Sequence, residues 1–372
     1  MRWTRDIERP TVEVMSNVRS RSLAFCERFG LRLPILLAPM AGSCPPASSV
    51  AVIRAGGMGA CGALLMQPNE IEQWAADVRS NINGPFQINL WIPDPPPVRD
   101  REHETRLREF LSRFGPAVPE DAGETTLPNF AEQCQALLRI APAAVSSIMG
   151  LYPPDFVAEL KSRRISWFAT ATTVAEATTA EAAGADVIIA QGMEAGGHRG
   201  AFDAMKAERQ LVGLFALLPA IADAVRVPVV AAGGIADGRG VAAALTLGAS
   251  AAIMGTAFLR CPETKVHPAW AAELEKTKPE DTAVSRAFSG RPGRSIATEY
   301  VRAALAANAP APAPYPVQRG LTTPMRLDAQ KAGDAQRMQV WAGQSAVLAR
   351  AESASVVTER VWNEAQKLLP GS

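Results

Sequence analysis

The chain's strongest constraint on its fold is a regular alternation of short apolar segments with helix-forming segments. The apolar segments are centred near residues 35, 61, 88, 145, 168, 188, 230 and 253. Every segment but the last is followed by a predicted helix before the next one begins, so a parallel α/β sheet is expected. Eight such units predict a closed (β/α)8 TIM barrel, whereas six would favour an open doubly wound sheet.

Two regions depart from this alternation. Residues 93–128 contain a proline run, Pro95 to Pro97, and then a charged run from Arg99 to Arg113 that we expect to form a solvated helix. Beyond Phe258, helix-forming segments at 268–276, 279–288 and 297–306 precede an alanine- and proline-rich strap, and segments at 327–350 and 354–368 follow it. The predicted parts are an N-terminal arm or first helix outside the core (1–25), a barrel with packing helices (26–259 and 336–372), and a smaller helical cap (260–335).

Composition narrows the class of partner. Of 372 residues, 48% are hydrophobic and 20% charged, the net charge is +1, and lysines and arginines are scattered. Neither a nucleic-acid groove nor a membrane-binding patch is indicated, and the expected partner is a small molecule. The first 22 residues lack the apolar core of a signal peptide, and no apolar run approaches the length of a membrane span, so we expect a cytoplasmic protein.

Cysteines and histidines give no sign of a metal site. The five cysteines occur at unrelated spacings without a CxxC pair, and the chain has three histidines. A zinc site is therefore not expected, and the cysteines are predicted to be reduced, buried thiols.

A glycine-rich segment, Gln191-Gly192-Met193-Glu194-Ala195-Gly196-Gly197-His198-Arg199-Gly200, follows the sixth apolar segment. Active sites of α/β barrels form at the carboxyl ends of the strands, where this segment lies. Gly196 and Gly197 would let the backbone approach a flat or phosphorylated ligand without a Cβ between them. An ordinary tight turn is the alternative interpretation.

Two further glycine signals follow the last two strands. They are Gly233-Gly234 and Met254-Gly255-Thr256. Loops at these positions form the usual phosphate site of barrel enzymes, in which backbone N–H groups and a hydroxyl bind the phosphate oxygens. Plain turn glycines are the alternative, and the Gly233-Gly234 pair does not match the Rossmann fingerprint GxGxxG.

Polar residues at buried strand ends suggest a flat heterocyclic ligand. Asn89 and Gln191 are carboxamides that could supply both donors and acceptors to such a ring, although satisfied structural amides would look the same. His198 is the histidine within the glycine-rich segment, whereas His103 and His267 lie in regions expected at the surface. No GxSxG elbow is present, which disfavours a hydrolase.

Several motifs, in order along the chain, together resemble the nitronate monooxygenases, formerly called 2-nitropropane dioxygenases. They are Leu37-Ala38-Pro39-Met40, Phe86-Gln87-Ile88-Asn89-Leu90, the glycine-rich segment, Ala231-Ala232-Gly233-Gly234-Ile235, Met254-Gly255-Thr256-Ala257-Phe258, Ser289-Gly290-Arg291 and Trp341-Ala342-Gly343-Gln344. The resemblance implies an FMN-dependent barrel enzyme that oxidises alkyl nitronates with O₂ to carbonyl compounds and nitrite. By motif matching, the FMN contacts would be Pro39, Met40, Asn89, Gln191, Gly196, Gly197, Gly233, Gly234, Ile253, Met254, Gly255 and Thr256.

The chain departs from this family at the position of the catalytic base. The family usually has Val-Ser-Phe-His-Phe-Gly at the end of the fourth strand, and here Ile148 stands in place of the histidine. Isoleucine cannot take a proton, and loss of a base typically slows the reaction of a neutral nitroalkane by about 10² to 10⁴. We therefore hypothesise that the chain either uses pre-formed nitronates or has a different substrate. His198 could be an alternative base, and His198, Arg199 and Met149 are the candidate substrate contacts. A second departure is Ile253, where the family often has glutamine.

Two other functions remain open from the sequence. One is an NAD(P)H-dependent flavin reductase of a quinone, nitro compound or enoyl thioester. The other is a flavin-binding protein without turnover, suggested by Ile148. A monomer and a homodimer are both compatible with the sequence.

Overall fold

The computed structural model describes residues 13–369, in which parallel strands alternate with helices as the sequence predicts. The strands are β1 (Ile35–Leu37), β2 (Gly59–Gly62), β3 (Phe86–Trp91), β4 (Ala144–Ile148), β5 (Ser166–Ala171), β6 (Val187–Gln191), β7 (Gly197–His198), β8 (Val229–Ala232), β9 (Ala251–Met254), β10 (Thr282–Ser285) and β11 (Gly293–Ile296). The helices are α1 (Glu13–Phe29), α2 (Pro46–Arg54), α3 (Pro68–Asn81), α4 (Arg101–Leu111), α5 (Phe130–Ile140), α6 (Pro154–Ser162), α7 (Val174–Ala182), α8 (Leu214–Ala224), α9 (Gly238–Thr246), α10 (Pro268–Lys276), α11 (Glu299–Ala304), α12 (Val317–Leu321), α13 (Thr323–Ala332) and α14 (Ala354–Gln366).

Eight of these strands form a closed parallel barrel. Their hydrogen-bonded order is β1-β9-β8-β6-β5-β4-β3-β2. The ring closes where Leu37 N donates to Met58 O at 2.9 Å and Met58 N donates to Ile35 O at 3.1 Å, beside β2. The (β/α)8 prediction is confirmed, and all eight carboxyl ends open at the same end of the barrel.

The barrel strands are buried along nearly their whole length because both of their faces are covered. All five residues of β6 are buried, and its side chains alternate between the barrel interior and the layer of helices. The surrounding helices have local start signals. The side chains of Asn129, Thr173 and Asp237 accept backbone N–H groups at the starts of α5, α7 and α9.

The first helix closes the amino-terminal end of the barrel. Phe25 and Phe29 are buried against Phe168 inside the barrel, and the Phe29 and Phe168 ring centroids lie 5.1 Å apart. The predicted arm at residues 1–25 is therefore wrong in placing this segment outside the core, since Val18 and Phe25 are both buried. Residues 1–12 of that arm lie outside the described residues.

The helix predicted in the 93–128 insertion exists as α4, but it is not a solvated helix. Leu107, Phe110 and Leu111 are buried in one apolar cluster with Tyr300 and Met325 of the cap. Most charged residues of α4 lie on its other side, whereas Glu104 is buried and pairs with Arg99 and Arg108. The apolar side of this amphipathic helix joins the insertion to the cap.

The cap contains a small antiparallel sheet in addition to its helices. Strands β10 and β11 pair with each other, and β11 also pairs with β7 from the glycine-rich segment of the barrel. The helix predicted at 279–288 is therefore wrong, and the one predicted at 327–350 ends at Ala332. The last helix, α14, packs beside α9, and its Glu364 side chain accepts the N–H of Gly238.

Other sequence expectations can be compared directly with the structure. All five cysteines are free and buried. Within residues 13–369, no helix combines the length and apolar character that a membrane crossing needs. The boundaries proposed for barrel and cap remain predictions.

Candidate active site

The carboxyl ends of the barrel strands open into a cavity of about 830 Å³ between the barrel and the cap. Loops that follow the barrel strands form its floor, and residues of β7, α12, α13 and the segment around Trp341 form its cap side. A volume of this size accommodates a cofactor-sized ligand.

Most of the residues singled out in the sequence line this cavity. The lining includes Pro39, Met40, Asn89, Ile148, Gln191, Gly196, Gly197, His198, Gly233, Gly234, Ile253, Gly255 and Thr256. Three other candidates, Met149, Arg199 and Met254, are absent from the lining.

Met254 and Met149 point away from the cavity for backbone reasons. Successive side chains of a strand face opposite sides, so Ile253 lies inside the barrel while Met254 packs outward among the helices. Met149 has a left-handed backbone with φ of 70°, its N–H donates to Gly200 O, and its side chain is buried. The predicted ligand contacts of these two residues stay predictions, and neither side chain is part of the cavity lining.

Arg199 is a bracing residue of the glycine-rich segment and does not face the cavity. It is 2% exposed, and its Nη1 donates to Gly192 O at 2.7 Å and to Gln191 O at 3.3 Å. Burial lowers the pKa of Arg199 to about 10, so it is still a cation at neutral pH. Its predicted binding of a nitro group stays a prediction: Nη1 is turned back onto its own loop, while Nε and Nη2 are buried without a hydrogen-bond partner among the described residues.

The glycines at the ends of β8 and β9 form a cradle of bare backbone. Gly233 and Gly234 have positive φ angles of 110° and 69°, and their N–H groups have no hydrogen-bond acceptor within the described part of the chain. A Cβ at Gly233 would lie 3.0 Å from Ala195 N, and one at Gly255 would lie 3.2 Å from the Ala38 Cβ. Unpaired N–H groups in a surface without side chains fit the oxygens of a phosphate.

Position 196 requires glycine for a different reason, which is close packing against a neighbouring loop. A Cβ there would lie 2.5 Å from Gly343 N, so the glycine allows close packing of the glycine-rich segment on the Gly343 loop. That loop also uses the Thr256 hydroxyl, which accepts the Gly343 N–H at 2.9 Å. The Thr256 hydroxyl proton is left to donate elsewhere.

Two carboxamides reach the cavity with part of their hydrogen-bonding capacity already used. Asn89 Nδ2 donates to Ser146 O and Oγ at 3.2 and 3.1 Å, and no donor to its amide oxygen is found among the described residues. Gln191 Nε2 donates to His198 O, while its oxygen accepts the Gly200 N–H at 2.8 Å. Both amides are held in fixed orientations, which suits them to recognise a ring.

His198 lies on the cavity wall between two indole rings. Its ring centroid is 4.6 Å from that of Trp91 and 4.7 Å from that of Trp341, and its Nε2 is 2.7 Å from Ser289 Oγ. Burial, with smaller contributions from the charges of Arg291 and Arg319, lowers the pKa of His198 to about 3. His198 is therefore neutral at physiological pH and a weak proton acceptor.

Ile148 lies at the carboxyl end of β4, in register with Trp91 of β3, and faces the cavity. The position assigned to a base by family resemblance is therefore an apolar part of the lining. Among the described residues, no other histidine lines the cavity besides His198.

The cap contributes cations that the sequence analysis did not identify. Arg319 lines the cavity, and its guanidinium has no hydrogen-bond or ion-pair partner among residues 13–369, whereas Arg291 pairs with Asp94 at 2.6 Å. Arg326 also lines the cavity but is bonded to Thr322, Thr323, Gln339 and the Arg319 carbonyl. Nothing local in the sequence distinguishes Arg319, because its position depends on how the cap folds over the barrel.

Comparisons with known proteins agree with this geometry. The family model described as nitronate monooxygenase matches residues 26–363. A nitronate monooxygenase of Paraburkholderia phytofirmans is 36% identical over 340 residues, which cover 90% of this chain and 93% of the relative. A nitronate monooxygenase of Pseudomonas aeruginosa is 37% identical, with coverages of 88% and 94%.

Solved structures show the same similarity. Nitroalkane oxidase from Streptomyces ansochromogenes superposes with a TM-score of 0.84 at 35% identity, covering 92% of this chain and 98% of that one. FabK from Thermotoga maritima follows with a TM-score of 0.72 at 28% identity, with coverages of 93% and 96%. From the barrel, the family match and these relatives, the chain belongs to the nitronate monooxygenase family of flavin-dependent oxidoreductases.

Proposed function

We propose that the cavity binds FMN and that the protein oxidises alkyl nitronates with O₂. Two nitronates and one O₂ give two carbonyl compounds and two nitrite ions, which balances atoms and charge. The observation that carries the proposal is the backbone cradle of Gly233, Gly234 and Gly255, which lies in the same cavity as two oriented carboxamides.

The hydrogen-bond donors of the cradle are of the kind that binds the phosphate group of FMN. Free N–H groups at the ends of β8 and β9 would bind the phosphate without a lysine, and the Thr256 hydroxyl would add a further donor. Asn89 and Gln191 would contact the ring with fixed amide groups, and Met40 would lie beside it. When bound, a flavin supplies the electron transfer that couples oxidation of an organic anion to reduction of O₂.

Arg319 supports an anionic substrate. A half-buried guanidinium without a partner is unfavourable in a protein interior, and an anion in the cavity would provide the missing charge. A nitronate carries its negative charge on two oxygens, a geometry that a guanidinium can bind with two parallel hydrogen bonds.

Ile148 supports the use of nitronates that are already ionised. A neutral nitroalkane must first lose a proton from carbon, and neither Ile148 nor the weakly basic His198 is suited to remove it. A pre-formed nitronate needs no such step.

The test combines a spectrum with a substrate panel. The purified protein should contain FMN, visible as a yellow absorbance and identified after heat release, and should release nitrite from several nitronates. Oxygen uptake should be faster with propyl-2-nitronate than with freshly dissolved 2-nitropropane by about 10² or more. A colourless protein that cannot take up FMN would overturn the proposal.

The second candidate is reduction of another acceptor by NAD(P)H. Its support is the pair of cap cations, Arg319 and Arg326, which could bind a phosphate of the dinucleotide. Anaerobic bleaching of the flavin by NAD(P)H within seconds, without nitrite release from nitronates, would favour this function. Flavin that neither nitronate nor NAD(P)H reduces would instead indicate a binding protein without turnover.

A further inference from the structure

Four rings and one aliphatic side chain form a continuous part of the cavity lining, which we call the aromatic wall. Its members are Trp91, His198, Tyr315, Trp341 and Ile148. Trp91 lies 4.6 Å from His198 and 5.4 Å from Tyr315 between ring centroids, and Trp341 lies 4.7 Å from His198. Ile148 neighbours Trp91 across the β3–β4 ladder.

Trp91 and Trp341 differ from three other tryptophans, two of which also line the cavity, in that their indole N–H groups are unpaired. The indole N–H groups of Trp74, Trp167 and Trp270 each donate to a protein oxygen. Those of Trp91 and Trp341 have no protein acceptor among the described residues, and both side chains are partly exposed while lining the cavity. Their exposed ring surface is therefore available to a ligand.

The wall lies beside the unpaired cation. Tyr315 and Arg319 are four residues apart around the start of α12, and the charge of Arg319 influences both Tyr315 and His198. An anion held at Arg319 would thus direct its organic substituent along the rings. Ile148 extends the apolar surface at the place where a polar base would otherwise interrupt it.

Aromatic walls discriminate between ring types because of their geometry. The ring pairs meet at interplanar angles from 39° to 73°, so a planar substituent can make both edge and face contacts with them. Such a contact contributes about 0.5–1.5 kcal/mol beyond area burial, which corresponds to about 2- to 12-fold in affinity. A saturated ring of similar size gains the buried area without this additional term.

We propose that the aromatic wall makes the protein selective for nitronates with an aromatic substituent on the reacting carbon. The inference rests on the proposed function, because it assigns a substrate class to the same cavity. It goes beyond that function in naming the residues that distinguish one nitronate from another.

The first experiment compares kcat/KM for pre-ionised phenylmethanenitronate, cyclohexylmethanenitronate and ethylnitronate. We expect kcat/KM for the phenyl compound to be about tenfold or more above that for ethylnitronate. It should also be about 2- to 12-fold above that for the cyclohexyl compound. Equal values for the phenyl and cyclohexyl compounds would overturn the proposal.

Matched variants locate the selectivity. Trp91→Leu and Tyr315→Leu should each lower the phenyl-to-cyclohexyl ratio toward one, and the two substitutions give independent tests should one fail to fold. Leu65→Ala removes apolar surface from the same cavity outside the wall, so it should change all three substrates by a common factor. A phenyl preference that survives both wall substitutions would also overturn the proposal.

A binding measurement separates this inference from the proposed function. Phenylacetate, cyclohexylacetate and propionate are stable carboxylate isosteres of the three nitronates, and their dissociation constants can be measured by quenching of tryptophan fluorescence in the purified flavoprotein. Tighter binding of phenylacetate without nitronate turnover would support the wall and refute the oxidation. Turnover of nitronates with equal dissociation constants would refute the wall alone.

Discussion

Replacing Ile148 by histidine tests whether the end of β4 is the position from which a base would act. The strand fixes the direction of the side chain, since Ile148 pairs with Trp91 in register and its carbonyl accepts the Ile92 N–H at 3.1 Å. A histidine at this position would therefore project into the cavity beside the aromatic wall, as isoleucine does now.

The magnitude of the gain follows from the surroundings of the new imidazole. A positioned base typically contributes about 10² to 10⁴ in rate, equivalent to about 2.7–5.5 kcal/mol of activation free energy. The neighbouring His198 has its pKa lowered to about 3 by burial and by two arginines. A histidine at 148 in the same cavity would be a weakened base, so we expect a gain near the lower limit, about 10²-fold.

The assay is initial oxygen uptake with freshly dissolved neutral 2-nitropropane and with propyl-2-nitronate. Ile148→His should raise kcat/KM for the neutral compound by about 10² and leave the value for the nitronate within a few-fold. Ile148→Leu and Ile148→Asn serve as controls, since neither side chain can act as a base. An unchanged ratio in a variant that retains its flavin would refute the reasoning about this position. Comparable use of both compounds by the unaltered protein would point to an unidentified base, with His198 the first to test.

Three further perturbations follow from the same geometry. Gly233→Ala should reduce the flavin bound per protein, measured by absorbance, because its positive φ and the 3.0 Å approach to Ala195 N exclude a Cβ. Gly248→Ala is the matched control, because the φ of Gly248 (116°) is similar to that of Gly233 (110°) and Gly248 lies outside the cavity lining. The Gly248→Ala protein should be less stable but should bind as much flavin as the unaltered protein. Arg319→Met should raise KM for nitronates by about 10- to 100-fold with flavin content unchanged. The KM of Arg319→Lys should lie between those of the unaltered protein and Arg319→Met. An unaltered KM in Arg319→Met would exclude Arg319 as the anion partner. The pKa of His198 is lowered from 6.5 to about 3 in the folded protein. Between these pH values the imidazole is protonated in the unfolded chain but neutral in the folded one. The free energy of unfolding should therefore fall as pH drops from about 6.5 toward 3. Urea denaturation at several pH values should show a weaker dependence for His198→Gln, and an equal dependence in both proteins would contradict the assigned pKa.

The sequence by itself determined the barrel and the position of its chemistry. Parallel strands covered on both faces are mainly apolar, as are the runs in β6 and β9, so local composition already indicates buried strands. Glycines directly after β8 identify the ligand-binding end, because their positive φ angles are a local backbone property. The departure at Ile148 could likewise be recognised from the motif alone.

Only the tertiary structure decided which side chains face the ligand. Met254 and Arg199 both stand within binding motifs, yet one packs outward because strand residues alternate and the other turns back onto carbonyls of its own loop. The helix predicted at 279–288 is instead strand β10, since pairing with β11 overrides a weak helical preference. Arg319 and Tyr315 reach the cavity through contacts distant in sequence, and such contacts leave no local periodicity to detect. The sequence therefore determined where a ligand can bind, and the packing of the cap on the barrel decided which charges and rings the ligand meets.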